Sequence, residues 1–134
     1  MLFKKGDGNW TQYRASDVME VDFHRVDPYR KAYRGQFAFH DAMAEVAIDT
    51  VEALKTAQQT GFRAVLFTHG WSTSRRGRTS SRSVIRGIMR SKEALPYIIR
   101  SESIQHEAVF FAVIRPAASQ RIRELTATTK TPAP

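Results

Sequence analysis

The strongest constraint on the fold is the run Phe62-Arg63-Ala64-Val65-Leu66-Phe67-Thr68, nearly continuous in apolar character and bounded by Gly61 and Gly70. A short run of this kind reads as a strand buried on both faces. Residues 41–59 precede it with Met43, Val46, Ala47, Val51 and Leu54 at helical spacing, an apolar stripe for packing on a sheet. Asp41, Glu45, Asp49 and Glu52 fall on another face of that helix and read as solvated. Gly61 is suited to ending it, because glycine adopts positive φ freely. Further upstream, Val18–Phe23 alternates, with Met19, Val21 and Phe23 on one face. Strand, helix and strand make a βαβ unit, which predicts two parallel strands joined by a right-handed crossover.

The rest of the chain extends this unit. Asp27-Pro28 closes the first strand, and residues 25–38 read as a long loop rich in Arg, Tyr and Lys. After a polar loop over residues 70–81, Ser80 or Ser81 is suited to capping a second helix. In that helix Val84, Ile85, Ile88 and Met89 face the core, and Pro96 marks its end. Tyr97–Arg100 and Ala108–Arg115 read as two strands, joined by a polar turn over Ser101–His106 into an antiparallel hairpin. The expected fold is α/β: a two-layer sandwich of order β-α-β-α-β-β, with a mixed four-stranded sheet and two main helices. Residues 1–16 read as a flexible N-terminal arm able to dock through Trp10 and Tyr13. Residues 17–116 read as the α/β domain, and 117–134 as a Thr/Pro-rich tail, partly disordered.

A length of 134 residues suits one domain, and no cysteine is present. That excludes disulfides, a thiolate zinc finger and a cysteine nucleophile. No apolar run approaches the ~18 residues of a membrane helix, and the first residues lack the apolar stretch of a secretion signal. The expectation is a cytoplasmic protein with no membrane partner. Its oligomeric state is not encoded in any pattern of the sequence.

The net charge of +8 is focal: Arg75, Arg76, Arg78, Arg82, Arg86, Arg90 and Lys92 account for all but one of it, with no acid among residues 75–92. Such a segment is either a solvated face or an electrostatic footprint for phosphates. The missing counter-charge favours the phosphates.

Ligands of open α/β sheets bind outside the carboxyl ends of the strands. The first strand runs into Asp22-Phe23-His24 and the second into Thr68-His69-Gly70. If the strands are parallel, Asp22, His24 and His69 emerge at one edge beside the Arg-rich loop. A carboxylate can orient or deprotonate a nucleophile, and an imidazole can exchange a proton with the leaving oxygen. Gly70 lets backbone approach a phosphate, and the arginines neutralise its charge. The chemistry this suits is phosphodiester cleavage. Each residue also has a structural alternative, a backbone hydrogen bond for Asp22 or a loop contact for His24. A divalent metal such as Mg is compatible with these groups, but the spacing specifies none. His40 and His106 lie outside the pattern and read as structural or surface residues.

Val21-Asp22-Phe23-His24 and Thr68-His69-Gly70, in this order and on strand ends, resemble the L-D-x-H and H-G-x-G motifs of the Smr (small MutS-related) domain family. The likeness spans residues 18–115. It implies a two-layer α/β sandwich that binds DNA or RNA, and in several members an endonuclease. It carries the motif positions onto Asp22, His24, His69 and Gly70 as residues implicated in cleavage and binding. Three departures accompany it: Arg25 follows His24 where the family usually has Gly, Trp71-Ser72 replaces the last x-Gly, and the loops after His24 and before the second helix are longer. Trp71 is a candidate for stacking on a base or for packing on the sheet. The functional expectation is a nucleic-acid-binding hydrolase with Asp22, His24 and His69 catalytic. Gly70, Trp71, Arg75, Arg76, Arg78, Arg82 and Arg86 would bind the nucleic acid. The alternative is a binding module for nucleic acid or a ribonucleoprotein that catalyses nothing.

Overall fold

The computed structural model describes residues 3–23, 36–69 and 80–117, with side chains described from Met43 onward in the first long helix. Its strands are β1 (Lys4–Lys5), β2 (Val18–Asp22), β3 (Ala64–Thr68), β4 (Ile104–Gln105) and β5 (Val109–Val113). The helices are α1 (Gln36–Thr60) and α2 (Ser81–Arg90), with a 3-10 turn at Trp10–Tyr13. The sheet order is β1-β4-β5-β3-β2. The expected β2–α1–β3 unit is present: β2 and β3 are adjacent and parallel, with Val18 opposite Ala64 and Asp22 opposite Thr68. β5 runs antiparallel to β3 and β4, and β1 is parallel to β4. Four strands therefore end at the same rim, and β5 begins there.

The core divides by the alternation of the strands. On one side Val65 and Phe67 of β3 and Phe110 and Ala112 of β5 pack with Val46, Leu54 and Ala57 of α1 and Ile85 and Met89 of α2. On the other side Val18, Ala64, Leu66, Val109 and Phe111 are covered by Trp10 and Tyr13. Buried positions of α1 recur at Met43, Val46, Thr50, Ala53, Leu54 and Ala57, while Ala47 and Val51 are only half-buried and Glu45, Asp49 and Glu52 lie in solvent. Gly61 closes α1 with φ of 88°. Its amide and that of Phe62 both donate to the Ala57 carbonyl, at 3.0 and 2.9 Å, satisfying helix-end groups as a left-handed terminator does. Ser80 caps α2 in a capping box with Ser83.

Four boundaries differ from expectation. The sheet has five strands, not four. The extra one is Lys4–Lys5, which pairs through backbone alone, Lys4 N–H to Ser103 O and Gly6 N–H to Gln105 O at 2.8 and 3.0 Å. An edge strand needs no apolar alternation, so none marks it in the sequence. The residues expected as a free arm thus supply a strand and the cover of one core face. Next, Tyr97–Arg100 forms only an isolated bridge, Ile98 with Ile114, and the paired strand lies instead at Ile104–Gln105, inside the expected turn. The chain turns between the two, where the Ser103 amide lies near the Ile99 and Arg100 carbonyls. The Ser103 hydroxyl then accepts the Val113 amide at 3.0 Å, substituting for a ladder bond. Third, α1 begins at Gln36 rather than Asp41, since no Gly or Pro interrupts residues 36–40. Last, α2 stops at Arg90, well before Pro96: the Ser91 hydroxyl and amide both donate to the Ile88 carbonyl.

Among the described residues no helix is long and apolar enough to cross a membrane.

Candidate functional site

Asp22 is the last residue of β2, directly opposite Thr68, and it is exposed. The next amide, of Phe23, donates to Thr68 O at 2.8 Å, holding the two strand ends together. Phe23 turns inward and its ring stacks parallel to that of Phe67, centroids 6.2 Å apart. His69 follows β3 and continues its pairing, its amide donating to Ala108 O at 3.2 Å. The expected convergence of the two strand ends is therefore present in the backbone.

The side chains are arranged differently. Asp22 shares the alternation of Val18, whose face is covered by the 3-10 turn, whereas Val65 and Phe67 face the helices. Continued by one residue, the second alternation directs His69 to the helix side, and its ring is only 3% exposed. Asp22 and His69 thus occupy one rim and opposite faces of the sheet. His24, Gly70, Trp71, Arg75, Arg76 and Arg78 lie outside the described residues. Among the described residues no group of three His, Asp or Glu side chains is arranged to hold a metal ion.

The arginines of α2 reach this rim from the helix side. Arg82 pairs with Glu107 at 2.7 Å, and it is the more enclosed partner, 17% against 54% exposed. Arg86 Nη2 donates to His106 O at 3.2 Å. Its Nε is buried with no hydrogen-bond partner among the described residues. Burial, then the charge of Arg82 and, more weakly, Arg90 push the Arg86 guanidinium below its ordinary pKa, opposed by Glu107. Three like charges four residues apart on one helix leave the middle one short of counter-charge.

His106 organises what lies beside Arg86. Its Nε2 is 2.8 Å from Gly8 O, and its Nδ1 accepts the Ala108 amide at 2.9 Å. The ring is 2% exposed and touches Tyr13 edge-on, centroids 6.0 Å apart. The structural reading of His106 agrees with this environment. A cleft of about 640 Å³ opens next to it, between β1 with the loop Gly6–Gly8 and the flank of α2. Lys4, Lys5, Arg86 and Arg90 line it, with Asp7 and Glu107. Sequence reading gave Lys4 and Lys5 no role. The only signal was two lysines beside Gly6-Asp7-Gly8, and their partners lie a hundred residues downstream.

No family model matches the chain, and neither curated proteins nor solved structures match it.

Proposed function

We propose that the chain is a nucleic-acid-binding domain of the Smr kind, a two-layer α/β sandwich that cleaves phosphodiester bonds at the carboxyl-end rim of its sheet. The observation that carries this reading is the in-register parallel pairing of β2 with β3, which brings Asp22 to the rim that α2 approaches with Arg82 and Arg86. In this reading exposed Asp22 acts as the general base or orients the nucleophile, and His24 exchanges a proton with the leaving oxygen. Arg82 and Arg86, with Gly70, Trp71, Arg75, Arg76 and Arg78 of the preceding sequence, hold the backbone. Both helices contribute to one core cluster on one side of the sheet, which supports the two-layer arrangement. A second reading, binding without cleavage, is favoured by the burial of His69 and its direction away from Asp22.

Incubation with labelled single- and double-stranded DNA and RNA, with Mg²⁺ or with chelator, tests both. Cleavage by the wild type that falls ~10²–10⁴-fold in Asp22→Asn while binding persists supports the catalytic reading. If Asp22→Asn and His24→Ala both cut at the wild-type rate, the assignment is wrong. Binding with no cutting under any condition leaves the module, and absence of binding to every nucleic acid ends both readings.

A further inference from the structure

The cleft between β1 and α2 lies at the far edge of the sheet from Asp22. β1 and β2 are the two outermost strands, separated by four strand spacings, roughly 19 Å at ~4.8 Å each. Both strands run in the same direction, so the cleft and Asp22 open toward the same rim.

The walls of the cleft are built, not incidental. Gly6 has no room for a side chain: a Cβ there would sit 2.6 Å from Ile104 Cγ2 and 2.7 Å from Tyr13 Oη. Gly8 adopts φ of 74°, a left-handed turn. The His106 ring ties the Gly8 carbonyl on one wall, and the His106 carbonyl ties Arg86 on the other. One residue therefore fixes the spacing of both walls.

The charge balance of the cleft is uneven. Of its two acids, Glu107 is engaged by Arg82 at 2.7 Å, and Asp7 lies close enough to Tyr13 to hold its phenol above the usual value, after burial as the larger cause. Among the described residues, Lys4, Lys5, Arg86 and Arg90 form no ion pair with an acid. Four cations around one concave surface concentrate positive potential, because low-dielectric walls focus the field. The volume lies within the ~300–1,000 Å³ range of small-ligand sites, and four of the side chains around it are cationic. These features suit a chain of phosphates more than an uncharged ligand.

We propose that this cleft is a phosphodiester-binding site that grips a nucleic-acid strand at a point remote from Asp22, through Lys4, Lys5, Arg86 and Arg90. It rests on the nucleic-acid reading above and extends it: the strand is held at the β1 edge while another part of it lies across the rim at β2. Contacts to phosphate carry no sequence information, so the cleft adds affinity and register without base preference.

The test compares Lys5→Gln/Arg90→Gln with Arg14→Gln/Lys55→Gln, which removes the same net charge outside the cleft. Lys5, Arg90 and Arg14 are exposed, Lys55 is half-buried and none of the four is in the core, and folding of both variants is checked by thermal melting. Binding of a fluorescent single-stranded oligonucleotide is followed by anisotropy across a salt series. The cleft variant loses about tenfold or more in affinity at low salt, and the magnitude of its log-affinity against log-salt slope falls by about 1.4. The control keeps the wild-type slope. Equal behaviour of the two variants overturns the cleft while leaving nucleic-acid binding intact. A wild type that binds polyglutamate but no nucleic acid overturns the cleft and the functional reading together.

Discussion

The imidazole of His106 bridges the Gly8 carbonyl and the Ala108 amide, joining the start of the chain to the turn before β5. Because Nδ1 accepts a backbone N–H, the proton of the neutral ring is assigned to Nε2, which donates to Gly8 O. His106→Ala would leave both backbone groups without this partner, in a site only 2% exposed. The expected loss is about 2 kcal/mol, read from urea unfolding. Nitrogen-15 shifts of the ring should report the Nε2–H tautomer.

Two glycines should respond with opposite signs. Gly87 lies inside α2, and beyond its chain neighbours and its own helix backbone no atom of the described residues lies within 4 Å of where a Cβ would project. Gly87→Ala is expected to stabilise by about 1 kcal/mol through helix propensity. Gly61 holds φ of 88° at the end of α1. Gly61→Ala is expected to destabilise by about 1–2 kcal/mol, because a Cβ strains the left-handed backbone. Denaturant midpoints of the two variants check both signs.

Asp17 and Arg63 give a pH signature. Arg63 Nε donates to Asp17 Oδ2 at 2.9 Å, and this hydrogen bond lowers the Asp17 carboxyl against an opposing desolvation, with the charge of Arg63 adding to the lowering. The folded carboxyl therefore loses its proton at lower pH than the unfolded one. Its contribution is fully present above the unfolded value of ~3.9 and disappears as pH falls through the lower folded value. Wild type should exceed Asp17→Asn in stability near neutrality, with the gap closing in acid. Both side chains are half in solvent, so added salt should also shrink the gap.

Glu107 places a negative charge among the cations of α2 and the cleft. Glu107→Gln should release Arg82 from its 2.7 Å pairing and raise the net charge of the lining. The expected outcome is tighter binding to nucleic acid at low salt, with a slope steeper by up to about 0.9 on duplex. Thermal melting should show a loss of about 1 kcal/mol or less from the broken pair. Unchanged or weaker binding would count against the arginine face as an interface.

The βαβ centre was legible because its residues announce their environment. Phe62–Thr68 is apolar at all positions but Arg63 and Thr68, and Ala64 to Phe67 are indeed fully buried. The stripe of α2 was legible in part: Ile85 and Met89 are at 0% exposure, whereas Val84 and Ile88 are only half-buried. Lys4–Lys5 was not legible, because its place in the sheet depends on backbone pairing with a strand whose own residues, Ile104 and Gln105, look like a turn. The rim was legible in part. Parallel pairing followed from the strand–helix–strand order, but the face each side chain takes depends on parity. Asp22 ends the row of Val18 and Glu20, while His69 extends the row of Val65 and Phe67. The cleft was hidden because its walls come from opposite ends of the chain.

That separation governs the order of assembly. Lys4 meets Ile104 only across a loop of about a hundred residues, and a two-residue ladder is a small return for closing it. β1 and the Gly6–Gly8 turn should therefore dock last and detach first, exchanging their amide hydrogens through a local opening that leaves β3 and β5 protected. A ligand bridging Lys5 and Arg90 would slow that opening, so the same amides that report fraying would also report occupancy.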